Sequence, residues 1–367
     1  MNPRTMPAQP ELNQEYLLPD EVEKPERLVE HELSILRERY DRGEFLRDFH
    51  SKTHGGVKAE LVIEPNLGSE FRYGVFSEPR RWPAWVRFSN GGETIVPDIK
   101  RDVRGLAIKL MGVPGEKLLE REKHATTHDF LFFTPPNFFT EDAFEFFDFI
   151  KVLHSKRFRL LKLAWYFLCH PKVFWIIFKS IKPHANLLEL PYFSATPYLL
   201  GPRAAKYSLQ PCRPASSEIP RKSEASANYL RERLVKDLGE SEARFDFLVQ
   251  FQADPIATPI ENAAAVWPPS LAPFHKVATL VIPPQIFDTA AQHEFTENLS
   301  MNPWHALPEH RPLGNVNRTR KRVYDAISEF RHQMNEQPRT EPTPGADFLD
   351  LEVPQPFARP GQTRPTP

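Results

Sequence analysis

Two sets of short alternating apolar runs, separated by a phenylalanine-dense stretch and then a basic one, constrain this chain more than anything else in it. The first set lies between Gly55 and Gly112 and reads KAELVIEP, FRYGVFS, AWVRFSNG and RGLAIKLMG, divided by Gly, Pro and Asn. Runs of this length and period, punctuated by turn residues, are antiparallel strands. The second set reads YFSATPYLLGPRAAKYSLQP, FDFLVQFQADP and HKVATLVIP. Strand runs combined with helical segments give an α+β class, most simply a closed or strongly curved antiparallel β-barrel with helices around it.

The 367 residues divide into three parts. Residues 1–47 form an arm and a helix, the helix running from Glu21 to Arg47 with Leu28, Leu33, Ile35 and Leu36 on its apolar side. Residues 48–336 form the body. Residues 337–367 are mostly Pro, polar and charged, a composition expected to be disordered or draped over the surface. Within the body, TEDAFEFFDFIKVLH, the later half of the phenylalanine-dense stretch, predicts a buried helix.

A formal net charge of −1 offers no overall field for nucleic acid. Two cysteines cannot build a disulfide framework, and no Cys/His run has zinc-ligand spacing, so a reducing, cytoplasmic setting is expected. Residues 156–182, KRFRLLKLAWYFLCHPKVFWIIFKSIK, combine aromatic and basic side chains, and Pro171 should break them into two short helices. Such a pair suits peripheral contact with a membrane, or packing across the barrel or against another subunit of a homo-oligomer.

The last helical run carries an unusual edge. At ~100° per residue, Arg320, Tyr324 and Arg331 fall within about 40° of arc, beside an apolar stripe of Val323, Ile327, Phe330 and Met334. A guanidinium one turn from a phenol favours the phenolate, a hard ligand suited to ferric iron. An ordinary solvated basic face has the same composition, so the triplet acquires meaning only from its company. His54, in SKTHGGVKAELVIEP, stands just before the first strong strand, with glycines that let backbone approach a bulky ligand.

VRFSNG (Val86 to Gly91), RDVRGLAIKL (Arg101 to Leu110), TPPNFFTEDAFEFFDF (Thr134 to Phe149), VWP (Val266 to Pro268) and RKRVY (Arg320 to Tyr324) occur in one order. That order resembles the haem-dependent catalase superfamily over roughly His54 to Arg331. The resemblance implies a catalase-like barrel holding haem b and a small-molecule hydroperoxide as substrate. It makes His54 the distal acid/base, Ser89 its hydrogen-bonding support, Arg87 and Arg331 the propionate partners, Tyr324 the axial ligand of the iron and Arg320 its charge partner. Phe138 and Phe139 match the paired phenylalanines that follow the distal asparagine in catalases.

Three departures bear on chemistry. Thr134 stands where catalases place that asparagine, and Ser51 stands three residues before His54, where they carry an arginine to a propionate. Thr53 directly precedes His54, and this pair resembles the catalase-related allene oxide synthases, in which the threonine hydroxyl occupies the histidine. The chain is also shorter than typical catalases, as in a small, divergent branch. The expectation is a haem-dependent peroxidase favouring organic or fatty-acid hydroperoxides over dismutation of hydrogen peroxide. Alternatives are a hydroperoxide isomerase or dehydratase, residual catalase activity, or a non-catalytic haem-binding protein.

Overall fold

The computed structural model describes residues 9–18, 21 and 24–344. Nine strands follow in order: β1 (Thr53–Ile63), β2 (Arg81–Asn90), β3 (Arg104–Met111), β4 (Thr127–Phe133), β5 (Tyr192–Phe193), β6 (Tyr198–Leu200), β7 (Arg203–Pro211), β8 (Ala243–Phe251) and β9 (Phe274–Ile282). Antiparallel neighbours run β4-β3-β2-β1-β9-β8-β7. The two-residue β5 closes the ring, pairing Phe193 with Phe133 of β4 and Tyr192 with Leu209 of β7. Eight strands therefore form a closed barrel, and β6 adds to β7 further along the same edge. Closure leaves no sheet edge open around the ring, which is how a barrel avoids edge-to-edge association.

Side chains alternate across the wall. Val86 and Phe88 of β2, Leu106 and Ile108 of β3, Phe130 and Phe132 of β4, and Phe245 and Phe247 of β8 fill one buried core. Phe130 meets Phe247 edge-on at 5.2 Å and Tyr207 at 5.4 Å. Full burial of each such ring contributes about 1.5–3 kcal/mol. The intervening residues face outward, towards the helices.

Seven α-helices lie among the described residues: α1 (Lys24–Arg39), α2 (Ala143–Leu153), α3 (Arg159–Cys169), α4 (Pro171–Ser180), α5 (Tyr229–Glu240), α6 (Ala290–Asn298) and α7 (Asn315–Met334). Helix α1 is shorter than the expected Glu21 to Arg47, because the chain turns at Gly43 (φ +91°) and tucks Phe45 against Leu36 and Phe330. Helix α2 begins on Asp142, whose carboxylate accepts from the amides of Phe144 and Glu145. It is buried only at Ala143 and Ile150, so the expectation of a buried helix is corrected to a half-covered one. Pro171 does break residues 156–182 into α3 and α4, which meet at 107°. Helices α5 and α6 were not anticipated.

Helix α7 is pinned from the N-terminal arm. The Arg318 guanidinium meets Glu15 at 2.6 Å, Glu21 at 2.7 Å and Glu261 at 2.9 Å. Of the two expectations for the tail, disordered or draped over the surface, its first part follows the second: Arg339 pairs with Glu122, and Glu341 lies 2.7 Å from the buried Lys109 ammonium. Residues 1–8 and 345–367 of the arm and tail lie outside the described residues.

Candidate active site

The outward face of β2 and β3 builds one wall of the site. Ser89 follows Arg87 by two, so both point out of the barrel, and Ser89 is paired across the sheet with Gly105. Over them lies His50, on the segment leading into β1. Its Nδ1 is 3.0 Å from Ser89 Oγ, and its carbonyl accepts from Arg87 at 2.8 Å. Gly105 makes the contact possible, since a Cβ there would stand 2.5 Å from His50 Nδ1 and 2.8 Å from Ser89 Oγ. His50 has φ +59°, a left-handed conformation that costs a non-glycine residue about 1–3 kcal/mol and persists where surrounding contacts fix it. Burial, then the charges of Arg87, Arg320 and Arg47, push its imidazole down to about 3, so it is neutral at pH 7.

Beside this pair three guanidiniums converge on one acid. Arg47 Nη1 lies 2.5 Å from Glu297 Oε1, Arg87 Nη2 lies 3.9 Å from Glu297 Oε2, and Arg331 Nη1 lies 3.9 Å from Glu297 Oε1. Arg331 also donates to the Glu297 carbonyl at 2.6 Å. Three cations against one carboxylate leave two positive charges unmatched. Burial, then repulsion from Arg47, pushes both Arg87 and Arg331 down to about 9. The buried Arg87 Nε has no partner. Such a cluster fits a ligand carrying two carboxylates, because guanidiniums pair with them in a fixed fork.

Helix α7 supplies the facing wall. Its Arg320 guanidinium donates to Thr196 Oγ1 and to Asn317 Oδ1, both at 3.2 Å, and lies 5.6 Å from the centre of the Phe138 ring. The charge of the same guanidinium is one of those that lower His50. Tyr324, one turn on, is half-buried and has no hydrogen-bond partner among the described residues. Burial holds the neighbouring phenol of Tyr198 up at about 12, against the opposing charge of Arg320. Phe138 and Phe139 stack at 4.8 Å, and both remain only partly covered. A flat apolar group slotted between the walls would cover them.

Other expected residues go elsewhere. His54 does not meet Ser89: it is the extra residue of a bulge where β1 shifts register between Thr53 and Gly55, and it turns to the inward side. There its Nε2 lies 2.6 Å from Asn90 Oδ1 and its Nδ1 lies 3.8 Å from Asp98 Oδ2. Lys52 reaches Asp98 at 2.6 Å, and Arg104 completes the network through Asn90 and the Asp98 carbonyl. Burial pushes His54 down to about 4, countered by Asp98 and Asn90. Thr53 turns its hydroxyl to the Phe88 carbonyl at 3.3 Å rather than to a histidine. Thr134 Oγ1 accepts from the Arg104 amide at 3.2 Å, and Ser51 donates to the Gly92 carbonyl at 3.3 Å. A cavity of about 200 Å³ lined by Lys206, Gln250 and Trp267 contains none of the expected site residues.

The chain superposes on a bacterial catalase with a TM-score of 0.60 and 20% identity, over 92% of this chain and 64% of that one. It superposes on a fungal catalase with a TM-score of 0.59 and 19% identity, over 96% of this chain and 68% of that one. The fold is that of the catalases. No family model matches the chain, and no curated protein matches it by sequence. The chain thus spans about two thirds of the length of these catalase structures.

Against the catalase pattern of arginine three residues before the distal histidine, Arg47 and His50 keep the spacing that Ser51 and His54 break. Arg47, His50 and Glu297 thus belong to this cluster although the sequence reading did not single them out. The first two carried a legible signal in Arg-x-x-His, four residues upstream of the chosen pair. Glu297 lies on the polar α6 and carried none.

Proposed function

We propose that this chain is a haem-dependent oxidoreductase that cleaves hydroperoxides. The observation that carries this reading is the His50–Ser89 pair, set beside three converging arginines and opposite the helix bearing Arg320 and Tyr324. In it Tyr324 Oη would hold the iron of haem b, Arg47, Arg87 and Arg331 would hold the propionates, and Phe138 and Phe139 would cover part of the macrocycle. Bound haem supplies a redox-active iron at which a peroxide O–O bond breaks.

The chain's own contribution is proton handling. When His50 Nδ1–H is donated to Ser89 Oγ, the Nε2 lone pair is free to accept the hydroperoxide proton and return it to the departing oxygen. The low affinity of His50 for protons keeps that lone pair available at neutral pH. Thr134 replaces a longer amide with a hydroxyl that is already engaged by the Arg104 amide, so hydrogen peroxide is held less well than a larger hydroperoxide with its own apolar contacts. The rearrangement reading loses its motif, since Phe49 rather than a threonine precedes His50, and the Thr53 hydroxyl turns to the Phe88 carbonyl. Haem-loaded protein should turn over cumene or fatty-acid hydroperoxide faster than it releases oxygen from hydrogen peroxide; the opposite ranking contradicts the reading. A haem spectrum without turnover of either would make the protein a haem carrier.

The surface supports substrates held in a membrane. Leu160, Trp165 and Leu168 of α3 and Trp175 and Phe178 of α4 are exposed, with Leu160 at 76%. Arg157, Arg159, Lys162, Lys172, Lys179 and Lys182 surround them, and residues 156–182 contain no acid. An anionic bilayer matches that charge, whereas a second copy docked face to face would oppose cation to cation. No helix among the described residues is long and apolar enough to cross a membrane alone. Aromatic rings pack in series from this patch to the site wall, Phe174 on Phe167, Phe167 on Phe149, Phe149 on Phe139 and Phe139 on Phe138. Co-sedimentation with anionic liposomes, weakened by Trp165→Ser with Trp175→Ser, is expected; no binding at low salt contradicts it.

A further inference from the structure

Away from the haem-type site, two histidines and a group of acids meet where α1, the end of α2 and the β2–β3 loop come together. His154 caps the C-terminus of α2, and its Nε2 lies 2.8 Å and 3.0 Å from the two oxygens of Glu93. That carboxylate accepts from Nε2, which leaves the His154 Nδ1 to face a second imidazole. It points at His31 Nε2 of α1, 3.3 Å away. One donor atom from each of His31, Glu32 and His154 lies within 4.8 Å of the others.

Glu32 is the independent sign that something is meant to sit there. Its side chain is 1% exposed and meets a second buried acid, Asp48, through a shared side-chain hydrogen bond. Two buried carboxyls in contact cannot both ionise without a cation to offset their repulsion. Arg39 offsets it only in part, because that guanidinium holds Glu93 at 2.7 Å as well as Asp48 at 3.5 Å. A second group, Glu122, His305 and Glu341, also has ligand-like spacing but carries its own cations, with Lys109 2.7 Å from Glu341 and Arg339 on Glu122. The first group lacks such a counter-charge on Glu32.

The geometry points to a zinc-type divalent metal site formed by His31 Nε2, His154 Nδ1 and Glu32, with Glu93 as the outer carboxylate that orients His154. Metal–nitrogen bonds of ~2.0–2.1 Å in a tetrahedron put two ligand nitrogens about 3.3 Å apart, the separation observed. Two imidazoles and one carboxylate favour a borderline transition dication over Mg²⁺ or Ca²⁺, which take oxygen ligands. A carboxylate hydrogen-bonded to the far nitrogen of a ligating histidine is the usual outer support of such sites. The ligands come from positions 31, 32 and 154, so no local spacing motif announces them. An ion here would tie α1 to α2, beside Asp48, two residues before His50.

The test is zinc content and coordination on the full chain, read separately from any haem activity. After exposure to Zn²⁺ and removal of free metal, elemental analysis should find one bound equivalent, and zinc-edge X-ray absorption should show two imidazole nitrogens. Thermal stability should rise with Zn²⁺ but not with Mg²⁺. Glu93→Gln should weaken affinity ~10–100-fold while keeping both imidazoles, and His154→Ala should abolish retention. The proposal is overturned if the wild-type chain retains no zinc, if its coordination lacks imidazole, or if Mg²⁺ stabilises it equally. The wild-type absorption spectrum needs no variant, so a poorly folding His154→Ala would not rescue the idea.

Discussion

On the outward side of the β1–β2 hairpin, the His50 imidazole has a single side-chain partner, Ser89, and keeps partial exposure. Four residues on, His54 turns inward and is wholly covered among Asn90, Asp98, Arg104 and Lys52. The first imidazole is oriented on one nitrogen with the other free, as proton transfer to a ligand requires. The second is locked into a closed ionic network, as a buried polar end to the barrel requires. A one-residue bulge separates the two fates, and the difference shows that orientation across a strand decides chemistry more than residue type.

The largest effect expected from this contrast is on rate. His50→Ala should lower hydroperoxide turnover ~10²–10⁴-fold at unchanged haem content, while His54→Ala should leave most of it, measured per bound haem. Equal losses from both variants would break the distinction. Stability should respond the other way. Asp98→Ala strands the buried Lys52 ammonium and should cost ~3–5 kcal/mol in urea denaturation, whereas His50→Ala strands no charge. Smaller still, Ser89→Ala removes one hydrogen bond, about 0.5–1.5 kcal/mol, and should slow turnover by up to roughly tenfold without releasing haem.

The smallest effect is on pH dependence. The His54 imidazole falls from its ordinary 6.5 to about 4 in the folded chain, so the unfolded chain takes up that proton first. Folding is then fully favoured above pH 6.5 and loses ground as pH falls towards 4. His54→Gln should flatten that part of the melting-temperature profile. His50, held lower for the same leading reason, should give turnover an acid limb well below 6.5.

Much of this fold is legible in the sequence because barrel strands advertise themselves through alternation, as KAELVIEP and RGLAIKLMG do. Closure by the two-residue β5 is not, since Tyr192 and Phe193 are too short a run to show a period. Helix α5 could have been read from Leu230, Leu234 and Leu238, spaced four apart and all buried. Helix α6 could not, because AAQHEFTEN buries only Thr296 and has no apolar stripe. In the site, helical period brings Arg320, Tyr324 and Arg331 to one edge, while Arg87 and Ser89 are legible only through the resemblance that VRFSNG carries. The histidine does not, because the bulge at Thr53/Gly55 reverses the facing of one residue and leaves no mark in composition. The glycines after His54 drew attention to it, yet they serve close packing: a Cβ on Gly55 would meet Phe287, and one on Gly56 would meet Thr296.

The central claim is that the strand wall bearing His50 and the helix bearing Tyr324 together hold a haem, with iron on the tyrosine. Its most direct test is a haem titration of the wild-type chain, Tyr324→Phe and His50→Ala, followed by absorption spectroscopy. One haem per wild-type chain with a tyrosinate-to-iron charge-transfer band is expected, with loss of that band in Tyr324→Phe and its retention in His50→Ala. A Tyr324→Phe variant that binds haem with the wild-type spectrum would contradict it.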